Sequence, residues 1–362
     1  MPNPLNPQFL LEAVLKFPVE KNYIGLGLLP QREVGAYELT WDVQQDENNL
    51  AGVYAVNGEI KAGHPRIYQQ LFADVINIGA ARVLDADSVM ALRDPGVIGM
   101  TQGGGVVGAI RAKAERKVAE ALADANSEVD ASIEYLIINA LRGSINWPPA
   151  GVTNPPPGWG QTVFNIDFKF DTRHTGNISA ITGGAGVPWS TIATADPARD
   201  LGAIAVNHQD NAGVDMSEFT LVCSRHVIRH LANNTTFQTF FRYKTENTML
   251  NFNEVKAWLQ SQLGVNIVVY DAQYTYRSVS TGGAVTISRA RFLPTNEILV
   301  IPNLKSIGQF STAPAKANNW QTGKWTWIDE KVNPWVTMLG VGEIGFPMLA
   351  HPEAIGRYII NA

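Results

Sequence analysis

The feature that most constrains this sequence is a helical periodicity over residues 105–142. Apolar residues recur there at spacings of three and four, which predicts one amphipathic helix. The recurring positions are Val118, Leu122, Ala125, Val129, Ile133, Leu136, Ile137, Ala140 and Leu141. Gly143 follows as a helix stop. Such a helix would extend about 55 Å at about 1.5 Å per residue, which is several times the length of an average helix of about 11–12 residues.

Composition limits the class of protein. The chain has 362 residues, of which 45% are apolar, as in an ordinary folded protein. Only 17% are charged and the net charge is −5, whereas an average soluble domain has about 25% charged residues. A surface with so few charges is predicted to be covered in part by other copies of the chain. The weakly acidic balance argues against a nucleic-acid reader.

Cysteine usage and the N-terminal sequence bear on where the chain folds. Cys223 is the single cysteine, which excludes intrachain disulfides and cysteine-based metal sites and fits synthesis in a reducing cytosol. Residues 1–7 lack the basic segment and apolar core of a signal peptide. The longer uncharged stretches contain proline and polar residues throughout, so we expect no membrane span.

The first 66 residues are predicted to form extended parts that need a partner surface. Residues 1–32 are an apolar arm broken by prolines. Residues 33–66 are predicted to be a long β-hairpin, with strands at 34–43 and 50–60 and a polar turn at 44–49. Its candidate contact residues for a neighbouring subunit are Tyr37, Leu39, Trp41 and Val53. A lone two-stranded ribbon is marginally stable in water, so its apolar side should lie on an adjacent subunit.

The remaining chain predicts a helix, a compact α/β block and a returning tail. The helix is predicted over residues 196–213, because Asp196 is a typical cap and Pro197 suits the first helical position. From Phe219 onward, strand patterns and helix patterns alternate, with strands at 220–223, 265–270 and 296–302. The tail from Gly345 ends in a strand at 358–360. Together with the long helix, these patterns predict an α+β fold.

No motif in the chain completes a catalytic or cofactor site. Gly103 to Gly108 match G-x-G-x-x-G, but no strand pattern precedes them. His226 and His230 have a zinc-like spacing without a third ligand. Cys223, although near His226, ends an apolar strand and is interpreted as a core residue. We therefore expect no catalytic residue, no metal and no cofactor, and an enzyme is not predicted.

Two further patterns have a structural and a functional interpretation. A basic run on the long helix is typical of a solvated face, and the alternative is weak contact with DNA. Its residues are Arg111, Lys113, Arg116 and Lys117. Nine tryptophans could form a sugar-binding surface, but they are scattered from Trp41 to Trp335, which favours core and interface positions.

Several short sequence motifs, which occur in a fixed order, resemble those of a known family. They are RVLDADSV at 82–89, EYLIINALRG at 134–143, Trp189 with DP at 196–197, RFLP at 291–294 and PMLAHPEA at 347–354. Their order and spacing resemble the major capsid proteins of tailed bacteriophages, specifically the capsid protein E family typified by the lambda head protein. The likeness extends over roughly residues 30–362.

The resemblance implies the Hong Kong 97-type phage capsid fold. Residues 1–32 would be the N-arm, 33–66 the E-loop, 67–217 the peripheral domain with its spine helix, 218–340 the axial domain and 341–362 a return strand of the peripheral domain. It also implies a virion protein that forms hexamers and pentamers of an icosahedral shell around double-stranded DNA, assembled in the host cytoplasm.

The same resemblance implies partners. These are the portal protein, a scaffolding protein and, in some relatives, a decoration protein. Because the E-loop begins near residue 33, scaffolding is expected from a separate chain. The hairpin tip at 44–49 has no lysine, so covalent crosslinking between subunits is not predicted.

Three other functions stay open at this stage. A cellular nanocompartment shell has the same fold and would enclose a cargo enzyme. A hydrolase would use Cys223 and His226, and the purified monomer would turn over substrate. A carbohydrate-binding module would bind glycans through its tryptophans without assembling.

Overall fold

The computed structural model describes residues 23–44, 68–85, 106–149, 164–242, 252–279, 285–303, 307–332 and 335–361. These residues form an α+β fold. The strands are β1 (Gln31–Glu33), β2 (Glu38–Gln44), β3 (Tyr68–Asp74), β4 (Ile76–Asp85), β5 (Ser144–Trp147), β6 (Phe164–Asp167), β7 (Thr175–Asn177), β8 (Phe219–Cys223), β9 (Val265–Val269), β10 (Gln273–Val279), β11 (Val285–Arg291), β12 (Glu297–Pro302), β13 (Gly308–Thr312), β14 (Trp325–Val332), β15 (Trp335–Leu349) and β16 (Gly356–Ile359). The helices are α1 (Gly25–Leu28), α2 (Val106–Leu141), α3 (Pro197–Ala212), α4 (Arg225–Asn233), α5 (Thr235–Arg242) and α6 (Phe252–Leu263).

The long helix α2 confirms the strongest sequence pattern. It has 36 residues, against the predicted span of 105–142. Leu122, Ala125, Val129 and Ile133 lie on its buried side. The chain turns at Gly143, whose φ of 94° is left-handed and favours glycine at a helix end.

The first sheet, sheet I, is built around β15. Strand β4 pairs antiparallel with one edge of β15, while β14 and β13 pair antiparallel with the other edge. Strand β1 joins β13 in parallel and completes the sheet. Helix α2 packs on β15 and β4, so this sheet and the long helix form one unit.

The second sheet, sheet II, has the strand order β7-β16-β12-β8-β9. Its central strand β12 is buried along its whole length. Leu299 belongs to the same apolar core as α2, and its neighbours Ile298 and Val300 belong to a second core. Because successive side chains of a strand point to opposite faces, sheet II separates these two cores.

The α/β block agrees with the sequence pattern in detail. Asp196 caps α3 by accepting a hydrogen bond from the backbone N–H of Arg199, and Pro197 occupies the first turn. The predicted strands at 220–223, 265–270 and 296–302 correspond to β8, β9 and β12. The connections around these strands also match the predicted alternation of strands and helices.

The hairpin differs from its predicted limits. Strand β2 pairs with β3, with Glu38 opposite Asp74 and Gln44 opposite Tyr68. The predicted second strand at 50–60 lies outside the described residues. Alternation along one strand identifies the strand but not its partner, which explains the difference.

The predicted domain limits differ from the structure at the C-terminal end. A limit between residues 340 and 341 would divide β15, which is one continuous strand in sheet I. The tail strand β16 pairs with β12 and β7 in sheet II. The chain therefore adds β13 to β15 to the sheet beside the long helix, with residues 341–349 there as predicted, and ends with β16 in sheet II.

Candidate assembly site

Three of the four predicted contact residues of the E-loop, Tyr37, Leu39 and Trp41, lie at the base of the β2–β3 hairpin. Tyr37 is 45% exposed, and its hydroxyl donates a 2.7 Å hydrogen bond to the carbonyl of Pro314 in the same chain. Leu39 and Trp41 are only 5% and 8% exposed. Val53 lies outside the described residues.

Trp41 is the anchor of this hairpin. Its indole Nε1 donates a 3.0 Å hydrogen bond to the carbonyl of Leu349 at the end of β15, and its ring lies 6.1 Å from that of Phe346 between centroids. Leu39 belongs to the same core. The structure therefore corrects the prediction for Leu39 and Trp41, because these side chains pack inside their own subunit and do not present a surface to a neighbour.

The predicted basic run begins the long helix. Arg116 is exposed and its Nε lies 2.9 Å from Glu120 Oε1, while Lys117 Nζ lies 3.6 Å from Glu120 Oε2. These hydrogen bonds hold the pKa of the exposed Glu120 carboxyl below its ordinary value. Arg111 and Lys113 lie on the same helix, but their side chains are outside the described residues.

A buried carboxylate joins the N-terminal segment to the rest of the subunit. Glu134 on α2 is 2% exposed and accepts hydrogen bonds from the backbone N–H groups of Ile24 and Gly25, at 3.0 and 2.8 Å. It also accepts a 2.6 Å hydrogen bond from the Tyr270 hydroxyl. Burial raises the pKa of Glu134, and these three hydrogen bonds oppose that shift.

A second carboxylate holds the end of α2 and the tail strand together. Glu297 at the start of β12 receives two hydrogen bonds from Arg142, at 2.8 and 2.9 Å, and two from Arg357, at 3.1 and 2.8 Å. Burial raises the pKa of Glu297, but hydrogen bonds from the two guanidinium groups outweigh burial and leave the pKa below its ordinary value. The pair of bidentate contacts fixes the geometry of the three elements.

A third polar cluster lies between α2 and sheet I. Lys324 forms an ion pair with Asp130 and donates a 2.8 Å hydrogen bond to Asn126 Oδ1. Nearby on β15, Glu343 is fully buried. Its Oε1 accepts a 2.6 Å hydrogen bond from Gln31, and its Oε2 has no partner among the described residues. Burial raises the pKa of Glu343 to about 7.

The cysteine and histidine candidates do not meet as a catalytic pair. Cys223 is fully buried in β8, and burial raises the pKa of its thiol to about 12, so the reactive thiolate is disfavoured. His226 and His230 face each other with 3.1 Å between their Nε2 atoms. The described part of the chain contains no group of three or more residues that could hold a metal ion.

Sequence reasoning missed the three anchoring carboxylates. Glu134 stands inside the apolar run Ile133 to Ile138, and Glu343 stands between Gly342 and Ile344. A lone carboxylate in an apolar run is expensive to bury without partners, so these positions could have been singled out. The hydrogen-bond partners of Glu134 and Glu343, however, are more than 100 residues away in the sequence and follow only from the fold.

The chain was compared with known families and structures. A family model described as phage major capsid protein E matches residues 8–324. No curated protein sequence matches the chain. Among the described residues, no helix combines the length and apolar composition needed to cross a bilayer.

Two similar solved structures share the fold over their whole length. One is described as a prophage capsid protein from Escherichia coli CFT073, with a TM-score of 0.57, 14% identity, and coverage of 98% of this chain and 99% of that one. The other is a phage-related protein from Bordetella bronchiseptica RB50, with a TM-score of 0.54, 13% identity, and coverage of 97% and 96%. The architecture is the Hong Kong 97-type capsid fold. Because the family model matches residues 8–324, which is most of this chain, the chain belongs to the phage major capsid protein E family.

Proposed function

We propose that this protein, a structural capsid shell protein, assembles into hexamers and pentamers of an icosahedral shell that encloses double-stranded DNA. The observation that carries the proposal is the family match over residues 8–324. The same match favours a location in the virion over a cellular nanocompartment. Assembly would take place in the host cytoplasm, and no catalytic step or cofactor is needed for it.

The subunit's composition and shape support assembly through many weak contacts. A chain with 17% charged residues loses little hydration when its surface is covered. Apolar area contributes about 25 cal/mol per Å² when it is buried between subunits. Contacts of this kind that repeat at each subunit close a symmetric shell through multivalency.

The hairpin β2–β3 is the proposed arm for one of these contacts. Its first strand is held in the subunit through Leu39 and Trp41. The contact with a neighbour is therefore assigned to residues 45–67, which connect the two strands in sequence and include Val53, together with the exposed Tyr37. We expect no covalent crosslink there.

The proposed partners follow from the family. Besides other copies of itself, the chain would contact a portal protein, a separate scaffolding protein and, where the shell uses one, a decoration protein. Packaged DNA would touch the basic run Arg111, Lys113, Arg116 and Lys117 without sequence preference. Because Arg116 and Lys117 share Glu120, that attraction would be weak and sensitive to salt.

Electron microscopy of the purified protein tests shell formation directly. We expect closed shells or capsomers, together with sedimentation far ahead of a single subunit. A single-subunit species at all protein concentrations would contradict the proposal. Nuclease-protected DNA in shells from an infected host would support a virion, whereas an enclosed enzyme would support a nanocompartment.

A deletion tests the hairpin without disturbing its anchor. Gln44 and Tyr68 are opposite each other in the β2–β3 register, so residues 45–67 can be replaced by an Asn-Gly turn. A second variant replaces them with a Gly/Ser linker of equal length, which keeps the connection but removes its side chains. Both variants should fold by circular dichroism and fail to close shells. Normal shells from either variant would contradict the assigned contact.

A further inference from the structure

A cleft with a volume of about 440 Å³ lies beside helix α4, and none of its lining residues belongs to the β2–β3 hairpin. Helix α4 supplies one wall, and the other walls come from the turn between β9 and β10, the end of β11 and the loop before β12. The lining residues are Arg225, His226, Arg229, Asp271, Gln273, Arg291 and Thr295. Three of these seven side chains are guanidinium groups and only one is a carboxylate.

Asp271 is the carboxylate of the cleft, and both of its oxygens already accept hydrogen bonds. Arg291 Nη1 donates to Asp271 Oδ1 at 2.5 Å. The backbone N–H of Arg225 donates to both carboxylate oxygens at 3.2 and 3.3 Å. Asp271 therefore fixes Arg291 as a wall of the cleft and has little capacity to neutralise the two arginines of α4.

Neither of those two side chains is hydrogen-bonded to a carboxylate among the described residues, and only Arg225 lies within ion-pair distance of one. The Arg225 side chain is 78% exposed, and its Nε lies 4.0 Å from Asp271. Arg229 is exposed and forms no ion pair with any residue in the described ranges. Arg142 and Arg357, in contrast, each hold Glu297 with two hydrogen bonds.

The spacing of Arg225 and Arg229 is unfavourable when no anion lies between them. Arg225 and Arg229 stand four residues apart on one face of α4, where like charges repel each other. The chain as a whole has a net charge of −5, so this local concentration of positive charge does not reflect a generally basic surface. An anion between the two guanidinium groups would remove the repulsion and satisfy both forks.

We propose that this cleft binds a phosphate-type polyanion between Arg225 and Arg229. The planar guanidinium fork matches the oxygens of a phosphate group and donates two hydrogen bonds to it. Two guanidinium forks, one without an ion pair among the described residues and one with only the 4.0 Å contact to Asp271, suit a ligand with two or more negative charges. A free diphosphate or nucleotide and a nucleic-acid backbone share this chemistry. Binding at the cleft does not require that the chain form a shell.

Isothermal titration calorimetry on the full-length protein tests the proposal, with sodium pyrophosphate and a 20-base-pair DNA duplex as separate probes at low salt. The variant is Arg225→Gln with Arg229→Gln. The control is Arg199→Gln with Lys316→Gln, which removes two exposed positive charges elsewhere. Both pairs change the net charge equally.

We expect the cleft variant to lose at least tenfold in affinity for pyrophosphate, and the control to stay within twofold of the original protein. Arginine-dependent binding of the duplex alone would assign the site to a nucleic-acid backbone and still support a phosphate site. Equal losses in both variants, or no binding of either probe, would overturn the proposal.

A second measurement needs no variant. Phenylglyoxal modifies accessible guanidinium groups, and the modified residues can be mapped by mass spectrometry of the original protein. Pyrophosphate should protect Arg225 and Arg229 but not Arg199. Protection of all three residues alike, or of none, would contradict the site.

Discussion

The hydroxyl of Tyr270 donates a 2.6 Å hydrogen bond to Glu134, although the two residues are 136 positions apart in the sequence. The same carboxylate accepts the backbone N–H groups of Ile24 and Gly25. One buried side chain of the long helix therefore holds both the N-terminal segment and the segment that follows β9. Loss of any one of these contacts leaves a buried polar group unsatisfied, which is costly.

Gly25→Ala should destabilise this junction. A Cβ atom on Gly25 would lie 2.4 Å from Glu134 Oε2 and 3.1 Å from Ile137, so α1 must move away from the long helix. We expect a loss of about 1–3 kcal/mol in the free energy of unfolding, measured by urea titration. Gly27→Ala is the matched control, because a Cβ there meets nothing within 4 Å. Equal stability of the two variants would contradict the described packing.

Glu297→Ala should be among the most damaging single substitutions. It leaves Arg142 and Arg357 partly buried without their carboxylate, which costs about 3–5 kcal/mol for a buried pair. Glu128→Ala breaks the ion pair between Glu128 and Arg82, which is more exposed than the ion pairs of Glu297. This substitution should cost about 1 kcal/mol or less in the free energy of unfolding. Urea titrations of both variants at pH 7 give the comparison, and similar losses would count against the role of Glu297.

The pH dependence of Glu297 has a definite sign. Its pKa is lowered in the folded protein, so the unfolded chain binds its proton more tightly. The stabilisation is present above the unfolded pKa of 4.5 and is lost as the pH falls towards the lower folded pKa. The difference in stability between the original protein and Glu297→Gln should therefore shrink in acid.

Glu343 should act in the opposite direction. Burial raises the pKa of Glu343 from 4.5 to about 7, with Lys324 and Asp130 as the nearby charges. Its contribution to stability is complete below pH 4.5 and is lost as the pH rises through about 7. Over that range the loss is about 3 kcal/mol, at about 1.4 kcal/mol per pKa unit.

Glu343→Gln should remove that loss, since the amide carries no charge and can still accept the hydrogen bond from Gln31. We expect the variant to be more stable than the original protein at pH 8 and similar at pH 5 by urea titration. Glu33→Gln, at an exposed position of β1, serves as the control. An unchanged pH slope in Glu343→Gln would show that Glu343 does not titrate in this range.

Trp41→Ala should unfold or strongly destabilise the subunit, by about 3–5 kcal/mol for a buried aromatic residue. Trp41→Phe keeps most of the apolar contact but loses the hydrogen bond to Leu349, so its cost should be smaller. Tyr37→Ala changes an exposed residue at the same hairpin base and should affect stability least. Thermal unfolding followed by circular dichroism ranks the three variants. A folded, stable Trp41→Ala subunit would return Trp41 to the surface role that its sequence pattern suggests.

Local patterns were sufficient for the elements whose cause is local. The long helix follows from apolar residues at helical spacing, and the start of α3 follows from Asp196 and Pro197, whose capping geometry involves only neighbouring residues. Buried Cys223 also follows from its own strand pattern. These features need no knowledge of distant contacts.

Strand β15 shows why other parts could not be predicted. It contains Gly340 and Gly342, and glycine is unfavourable in strands. The structure supplies the reason for them: Trp327 and Trp325 on β14 cover these glycines, and a Cβ at Gly340 would lie 2.1 Å from the Trp327 ring. These glycines are required by tryptophan rings on a neighbouring strand. The sequence around them therefore does not indicate that they belong to a strand.

The cleft and the hairpin base also depend on contacts between residues that are far apart in the sequence. Arg225 and Arg229 are recognisable as a basic pair in the sequence, but Asp271, which follows β9, and Arg291, which ends β11, join them only in the folded chain. The alternation of Leu39 and Trp41 indicates an apolar face, and only the contact with Leu349 shows that this face turns inward. Periodicity identifies which side of an element is apolar, and the fold decides what covers it.

The pairing of β15 has a consequence for when this protein can fold. Residues 336–345 pair with residues 76–85, and β1 pairs with residues 310–312 of β13. Sheet I therefore cannot close until almost the whole chain has left the ribosome. Pairings this distant in sequence form slowly, and a nascent chain must keep α2 without its sheet until then. Translation thus sets the earliest moment at which a subunit can present a complete surface to its neighbours, and we expect unfinished chains to be excluded from a growing assembly.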